Sequence, residues 1–111
     1  MQSLIAEIAV TAPLKKTFSY RVESAMEGTM AVGLRVRVSL GRRRSVGFVV
    51  GLRRGDPKGL KPVGELLDEE PLFDSALCRF LRWAAEYYQH PLGQVIKTAL
   101  PGGLSSEVQR V

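Results

Sequence analysis

Apolar and polar residues alternate with a period of two along the first two thirds of the chain, which is typical of β-strands with one covered face. The clearest alternation lies in residues 34–54, LRVRVSLGRRRSVGFVVGLRR. Three aliphatic side chains there alternate with Arg35, Arg37 and Ser39. The pattern predicts a strand that turns its aliphatic face to a core and both arginines to the other face.

A tight turn separates this strand from its return strand. Gly41 opens the turn, and Arg42, Arg43 and Arg44 follow it. Residues 46–52 are almost wholly apolar, which predicts a strand that is covered on both faces or lies in mid-sheet. We interpret the hairpin as a packed body with a basic tip, and arginines at such a tip suit an anionic ligand.

Other segments complete the predicted sheet. Phe18 and Tyr20 share one face of a strand; either could stack an unpaired base, although we expect at least one of them to pack in the core. The remaining segments are strands at 4–10, 16–22 and 63–67, an irregular loop at 23–33, and a loop rich in Gly, Pro and charge at 53–62 that ends with Lys61.

From residue 74 the apolar period becomes that of a helix. Asp74 or Ser75 can cap its first turn, and Pro91 ends it. Cys78 is expected to pack in the core on this helix. The stripe predicted to pack on the sheet is Leu77, Phe80, Leu81, Ala84 and Tyr88, flanked by Trp83 and Tyr87.

The predicted fold is α+β: a small, mostly antiparallel β-barrel at 4–67, followed by two C-terminal helices within 74–100. The second helix covers 92–100, and residues 102–111 are expected to begin a linker to further domains. At 111 residues with 45% hydrophobic content, the chain suits one globular domain. No apolar run is long enough to cross a membrane, and no signal peptide precedes the first strand.

Positive charge is concentrated in one stretch. The net charge is +5, and residues 35–61 hold nine basic residues and one acid. Such a concentration is typical of a nucleic-acid or phosphate-binding patch, although a solubilising surface has the same composition. The chain has one cysteine, which excludes an internal disulfide and fits a cytoplasmic protein.

The sequence gives little support to catalysis. His90 is the one histidine and stands at a predicted helix end, where we interpret it as a residue bonding a carbonyl. No metal-ligand spacing and no phosphate-binding loop of the Walker type is present. We therefore predict no enzymatic activity and no cofactor for this segment.

Four stretches in order carry a family resemblance: PLKKTFSY, GLRVRVSLGRRRSVGFVV, LKPVGELLDEEPLF and LRWAAEYYQHPLGQVIKTALP. Over residues 4–101 the chain resembles the N-terminal domain of the primosomal protein N′ family, the PriA replication-restart helicases. The resemblance implies a bacterial, nucleoid-associated domain that captures the 3′ end of the nascent leading strand at stalled forks and D-loops. It also implies full-length proteins that are ATP-dependent 3′→5′ helicases using ATP, Mg and Zn, with single-stranded-DNA-binding protein and other primosome proteins as partners.

The resemblance also assigns site residues. The 3′-end pocket falls on Phe18, Ser19, Tyr20, Gly41 and Lys61, with Ser19 where the family often has aspartate. Phosphate contacts are expected from the hairpin arginines, Arg42, Arg43, Arg44, Arg35 and Arg37. Two alternatives stay open: a protein-interaction barrel that binds an acidic peptide, and a generic nucleic-acid-binding barrel without end recognition.

Overall fold

The chain folds into five strands and three helices over residues 2–100, the part that the computed structural model describes. The strands are β1 (Ser3–Val10), β2 (Phe18–Arg21), β3 (Arg35–Leu40), β4 (Arg43–Gly55) and β5 (Glu65–Leu66). The helices are α1 (Ser24–Glu27), α2 (Ser75–Tyr88) and α3 (Leu92–Ala99). The linker predicted at 102–111 lies outside the described residues.

The strands form one antiparallel sheet in the order β2-β1-β4-β3-β5. Its two edges meet just before β5, where the Arg21 N–H donates to the Lys61 carbonyl at 3.0 Å and the Val63 N–H donates to the Arg21 carbonyl at 2.9 Å. The strand order itself is open, so "barrel" describes this curved sheet loosely. The predicted α+β class, a sheet followed by two helices, is confirmed.

The sheet separates two apolar cores, and β4 contributes to both. Val49 faces the inner core, which the curved sheet encloses, whereas Phe48 and Val50 face the outer core under α2 and α3. A register shift opposite Glu7 and Ile8 accommodates one extra residue in β4. The prediction that the apolar return strand is covered on both faces is confirmed.

The basic hairpin turns over two residues. Leu40 pairs with Arg43, so Gly41 and Arg42 form the turn between β3 and β4. Gly41 has a φ of +64°, a left-handed conformation that glycine adopts at little cost and that two-residue hairpins require. The tip is therefore a defined turn that holds the arginines in place.

The loop predicted at 23–33 is wrong in part, because residues 24–27 form α1. Tertiary contacts stabilise this short helix: Met26 packs against the inner core, and Glu27 pairs with Arg54 at 3.0 Å. The predicted strands at 16–22 and 63–67 are also longer than the observed β2 and β5. For α1, contacts with residues distant in sequence stabilise the helix.

Helix α2 begins as predicted but packs through a different face. Asp74 accepts a hydrogen bond from the Leu77 N–H at 2.8 Å and caps the helix. The buried residues of α2 are Cys78, Leu81 and Ala85, so the predicted stripe is wrong apart from Leu81. Two of these three, Cys78 and Ala85, are small and leave room for the aromatic ring of Phe48 in the layer between sheet and helices.

The aromatic residues of α2 consequently lie on its outer surface. Trp83 stacks on Tyr87 with ring centroids 5.2 Å apart, Phe80 lies 6.0 Å from Trp83, and Tyr88 meets Tyr87 edge-on. We call these four residues the aromatic face of α2. The face is exposed, although the sequence pattern predicts burial for Phe80 and Tyr88.

Trp83 reports this exposure directly, since it is the single tryptophan of the chain. Its side chain is 56% exposed, so its emission is expected to be red-shifted and strongly quenched by acrylamide in the folded domain. A blue-shifted, protected Trp83 in a monomeric sample would contradict the observed packing of α2. Fluorescence with acrylamide titration, compared before and after unfolding in urea, measures the difference.

Candidate nucleic-acid interface

Two predicted site residues, Gly41 and Lys61, contact each other, and a third, Phe18, lies on the strand β2 at the same end of the sheet. Strand pairing places Phe18 opposite Ile8, near the end of β1 that adjoins the hairpin. The Lys61 ammonium donates to the Gly41 carbonyl at 3.4 Å. We call Phe18, Gly41 and Lys61 the tip corner; it combines a half-buried ring, a backbone carbonyl and an exposed cation.

Ser19 reaches the tip corner through its backbone. Backbone groups alternate between the two edges of a strand, and Arg21 aims its N–H and carbonyl at residues 61 and 63. Ser19, two residues earlier, therefore aims its own backbone groups at that same edge. Its hydroxyl lies on the outer face, where Arg53 donates to it at 3.4 Å.

Tyr20 supports the corner from inside the fold. Its side chain is only 4% exposed, and its hydroxyl donates to the Ser39 carbonyl at 2.6 Å. Burial raises the pKa of this phenol, so it stays a donor at neutral pH. Tyr20 thus connects β2 to the end of β3. It is the aromatic residue that packs in the core, as expected for at least one of Phe18 and Tyr20, and its ring is not available to a ligand.

The arginines of the hairpin tip are exposed on both faces of the sheet. Arg43 pairs with Leu40 and shares its face, towards the inner core. Arg44 lies on the other face with Arg37, and both line a cleft of about 310 Å³. Arg42 occupies the turn between them, so the tip presents cations in several directions.

Arg37 and Arg35 differ from the tip arginines because each forms an ion pair with a carboxylate. Arg37 is partly exposed and pairs with Glu65 at 3.3 Å. Arg35 is buried, and its guanidinium binds both carboxylate oxygens of Asp68. The predicted phosphate contact of Arg35 does not fit this position, because its charge is already neutralised inside the fold.

Two cations that contact predicted site residues on β2 were not assigned by sequence reasoning. Arg53 contacts Ser19, and the Lys16 ammonium lies 5.4 Å from the centroid of the Phe18 ring. Lys16 belongs to the PLKKTFSY stretch just before Phe18, and this adjacency to an aromatic candidate was the available signal. Arg53 reaches Ser19 across β1, which only the sheet order reveals.

The described residues offer little support for a membrane-spanning, metal-binding or thiol-dependent function. No helix within residues 2–100 is both long and apolar enough to cross a bilayer. In the same range no three His, Cys, Asp or Glu side chains are grouped to hold a metal ion. Cys78 is buried beside the Val50 carbonyl, and burial raises the pKa of its thiol, which disfavours a reactive thiolate.

A curved sheet with an aromatic ring and exposed cations at one end is typical of a small nucleic-acid-binding domain. The comparisons make this class specific. The model of the family described as "3'DNA-binding domain (3'BD)" of PriA matches residues 7–101. The chain belongs to this family of DNA-binding domains, and the resemblance noted in its motifs is confirmed.

Curated relatives agree with this membership. The chain is 32% identical over 102 residues to the replication restart protein PriA of Treponema pallidum and 35% identical over 100 residues to that of Haemophilus influenzae. These matches cover 86% and 87% of this chain but 16% and 13% of the relatives. A PriA of Chlamydia pneumoniae is 30% identical over 96% of this chain and 14% of its own length. The chain thus spans about a sixth or less of the relatives it matches.

Proposed function

We propose that this domain captures the 3′ end of a DNA strand in the tip corner and thereby recognises stalled forks and D-loops. The observation that carries the proposal is the contact between Lys61 and the Gly41 carbonyl. It brings a cation and a hydrogen-bond acceptor from two separate loops to the end of the sheet where Phe18 lies. A terminal nucleotide offers matching groups: a base, a hydroxyl and a phosphate.

Each element of the corner has a distinct role in this proposal. The Phe18 ring contacts the terminal base, and such stacking tolerates every base because each has a π-face. The Gly41 carbonyl accepts a hydrogen bond from the 3′-hydroxyl. Lys61 binds the adjacent phosphate, and the backbone groups of Ser19 bond the base edge or sugar. A 3′-phosphate cannot donate to the carbonyl and adds bulk there, so a blocked end binds more weakly.

The tip arginines supply the less selective part of the binding. Arg42, Arg43 and Arg44 are exposed, and guanidinium groups bind phosphate oxygens in a bidentate manner. Such contacts are the same for every sequence and for every end chemistry. Arg37 adds to them where Glu65 releases it, whereas Arg35 remains structural.

In the longer protein, this domain would direct an ATP-dependent 3′→5′ DNA helicase to forks and so initiate reloading of the replisome. ATP, Mg and Zn would belong to other parts of that protein, together with contacts to single-stranded-DNA-binding protein and other primosome proteins. We propose no catalytic role and no cofactor for the segment of 111 residues. Its contribution is recognition of the DNA end.

The test compares forks that differ in one terminal group. A fork with a free 3′-hydroxyl is expected to bind more tightly than the same fork with a 3′-phosphate. Lys61→Ala should weaken binding to the unblocked fork about tenfold, which corresponds to about 1.4 kcal/mol, and should weaken the blocked fork less. Fluorescence anisotropy over a salt series measures both affinities.

Two variants serve as controls for this experiment. Arg43→Ala should weaken both forks equally and lower the salt slope, because it removes a phosphate contact. Lys58→Ala removes an exposed lysine of the same loop as Lys61 and should leave end preference unchanged. Equal affinity for both forks with a steep salt slope would contradict end recognition and indicate binding to the DNA backbone alone. Binding of an acidic peptide without binding of DNA would favour a protein-interaction role.

A further inference from the structure

A second basic site lies next to the tip corner. A cleft of about 520 Å³ opens between the β1–β2 loop and the last turns of α2. Lys15, Lys16 and Arg82 bring three cations to its lining, which also contains the carboxylate of Glu86 and the side chain of His90. This excess of positive charge suits a ligand that carries phosphate.

A network centred on Glu7 connects two lining residues of the cleft, Thr17 and Arg82. Arg82 of α2 pairs with Glu7 of β1 at 3.5 Å, and Glu7 also accepts a hydrogen bond from the Thr17 hydroxyl. The loop, the strand and the helix are therefore connected before any ligand arrives. Arg82 is thus paired with a carboxylate, whereas none of the ion pairs found in residues 2–100 involves Lys15 or Lys16.

Lys16 makes the cleft continuous with the tip corner. Its ammonium lies over the Phe18 ring, 5.4 Å from the centroid, and the same residue lines the cleft. We propose that the DNA strand whose 3′ end occupies the tip corner runs back through this cleft, with its phosphates bound by Lys15 and Lys16. The proposal rests on the proposed function, since the strand must first place its end at the corner.

The form of the cleft favours a strand over a single small anion. A free phosphate requires several donors that converge on one point, whereas Lys15 and Lys16 are exposed at the rim of an open cleft. Flexible ammonium groups that follow a groove are typical of contacts to a single-stranded backbone. The cleft therefore adds affinity for DNA that extends beyond the terminal nucleotides.

Strand length is the variable that tests this path. The chain is titrated with a 3′-terminal dinucleotide and with a single strand of about ten nucleotides that has the same free 3′ end. Lys15→Ala should weaken binding of the longer strand about three- to tenfold and lower its salt slope by about 0.7. Binding of the dinucleotide should stay within about twofold of the unmodified domain, because that ligand does not enter the cleft.

Lys97→Ala is the matched control, because Lys97 is an exposed lysine on α3 outside the cleft lining; both DNAs should bind it normally. If Lys15→Ala weakens both DNAs equally, or neither, the proposed path is wrong. Tighter Lys15-dependent binding of an acidic peptide than of the longer strand would also overturn it. Failure of end capture would give a different result. A dinucleotide with a 3′-phosphate would then bind as tightly as one with a free 3′-hydroxyl, both to the unmodified domain and to Lys15→Ala.

Discussion

Asp68→Ala is expected to lower the free energy of unfolding by about 3–5 kcal/mol, because it removes the carboxylate that binds the buried Arg35 guanidinium at two of its nitrogens and at the backbone. Arg35 is 3% exposed and Asp68 10% exposed. The carboxylate binds the Arg35 side chain at 2.8 and 3.0 Å and accepts the Arg35 backbone N–H at 2.9 Å. Urea unfolding followed by circular dichroism measures the loss, which is a large fraction of the stability of a domain this size.

The neighbouring pair on the same strand is a matched control. Arg37 and Glu65 are 31% and 61% exposed, with one contact at 3.3 Å. Exposed pairs of this kind contribute about 0–1 kcal/mol, so Glu65→Ala should change stability little. Equal losses for Glu65→Ala and Asp68→Ala would show that burial does not distinguish the two pairs.

A compensated variant separates the loss of a partner from the loss of a favourable pair. Replacing both Arg35 and Asp68 by apolar residues, as Arg35→Met with Asp68→Leu, should recover most of the stability lost in Asp68→Ala. DNA affinity of the folded double variant should match that of the unmodified domain, because Arg35 is structural. A tenfold loss of affinity at unchanged stability would instead restore Arg35 to the phosphate contacts.

Arg35 also shows what alternation along a strand can predict. The period of two correctly assigned Val36 and Val38 to the inner core, where both are buried. It also correctly placed Arg35 on the other face. Whether that face meets solvent depends on Asp68, which arrives from 33 residues further along the chain. Such a contact has no local signal in the sequence.

The prediction of the buried face of α2 was wrong for a related reason. Its sequence contains two apolar stripes, one of smaller residues that includes Cys78 and Ala85, and one of aromatic rings that includes Trp83. Both have helical spacing, and the larger rings offer more apolar surface to a core. The space above Phe48 decides in favour of the small residues, and that space is a property of the assembled sheet.

The members of the tip corner come from the family resemblance, and their roles stay a prediction. Family resemblance named Phe18, Gly41 and Lys61, and nothing in their spacing indicates that they lie at the same end of the sheet. Arg21 bonds residues 61 and 63 and so brings the loop to the edge of β2, where Lys61 reaches the Gly41 carbonyl. The same pairing turns the Ser19 hydroxyl away and leaves its backbone facing the corner.

Gly93→Ala is expected to destabilise the domain by about 3 kcal/mol, although alanine is the better helix former. Gly93 lies in the first turn of α3, and a Cβ atom there would come within 1.8 Å of the Val10 carbonyl oxygen. Helix propensity favours alanine by only about 1 kcal/mol. The overlap is with backbone, so α3 must move away from β1 or β1 must shift from its pairing with Gly47.

That movement would open the outer core. Leu92 and Ile96 of α3 are buried there against α2 and the sheet, and both would lose contacts. The cleft is affected as well, because Leu92 lines it. Gly93→Ala should therefore reduce binding of the longer DNA strand through altered packing, even at temperatures where the domain stays folded.

Gly28→Ala is the control for this substitution. Gly28 has a φ of −70°, and a Cβ atom there would find nothing beyond its chain neighbours within 4 Å among residues 2–100. The unfolding free energy should therefore change by less than about 0.5 kcal/mol. Both variants are measured by urea unfolding under the same conditions. If Gly93→Ala proves as stable as Gly28→Ala, the first turn of α3 cannot lie directly on the end of β1. The glycine at position 93, which ends the stretch LRWAAEYYQHPLG, would then need an explanation other than close packing of helix on strand.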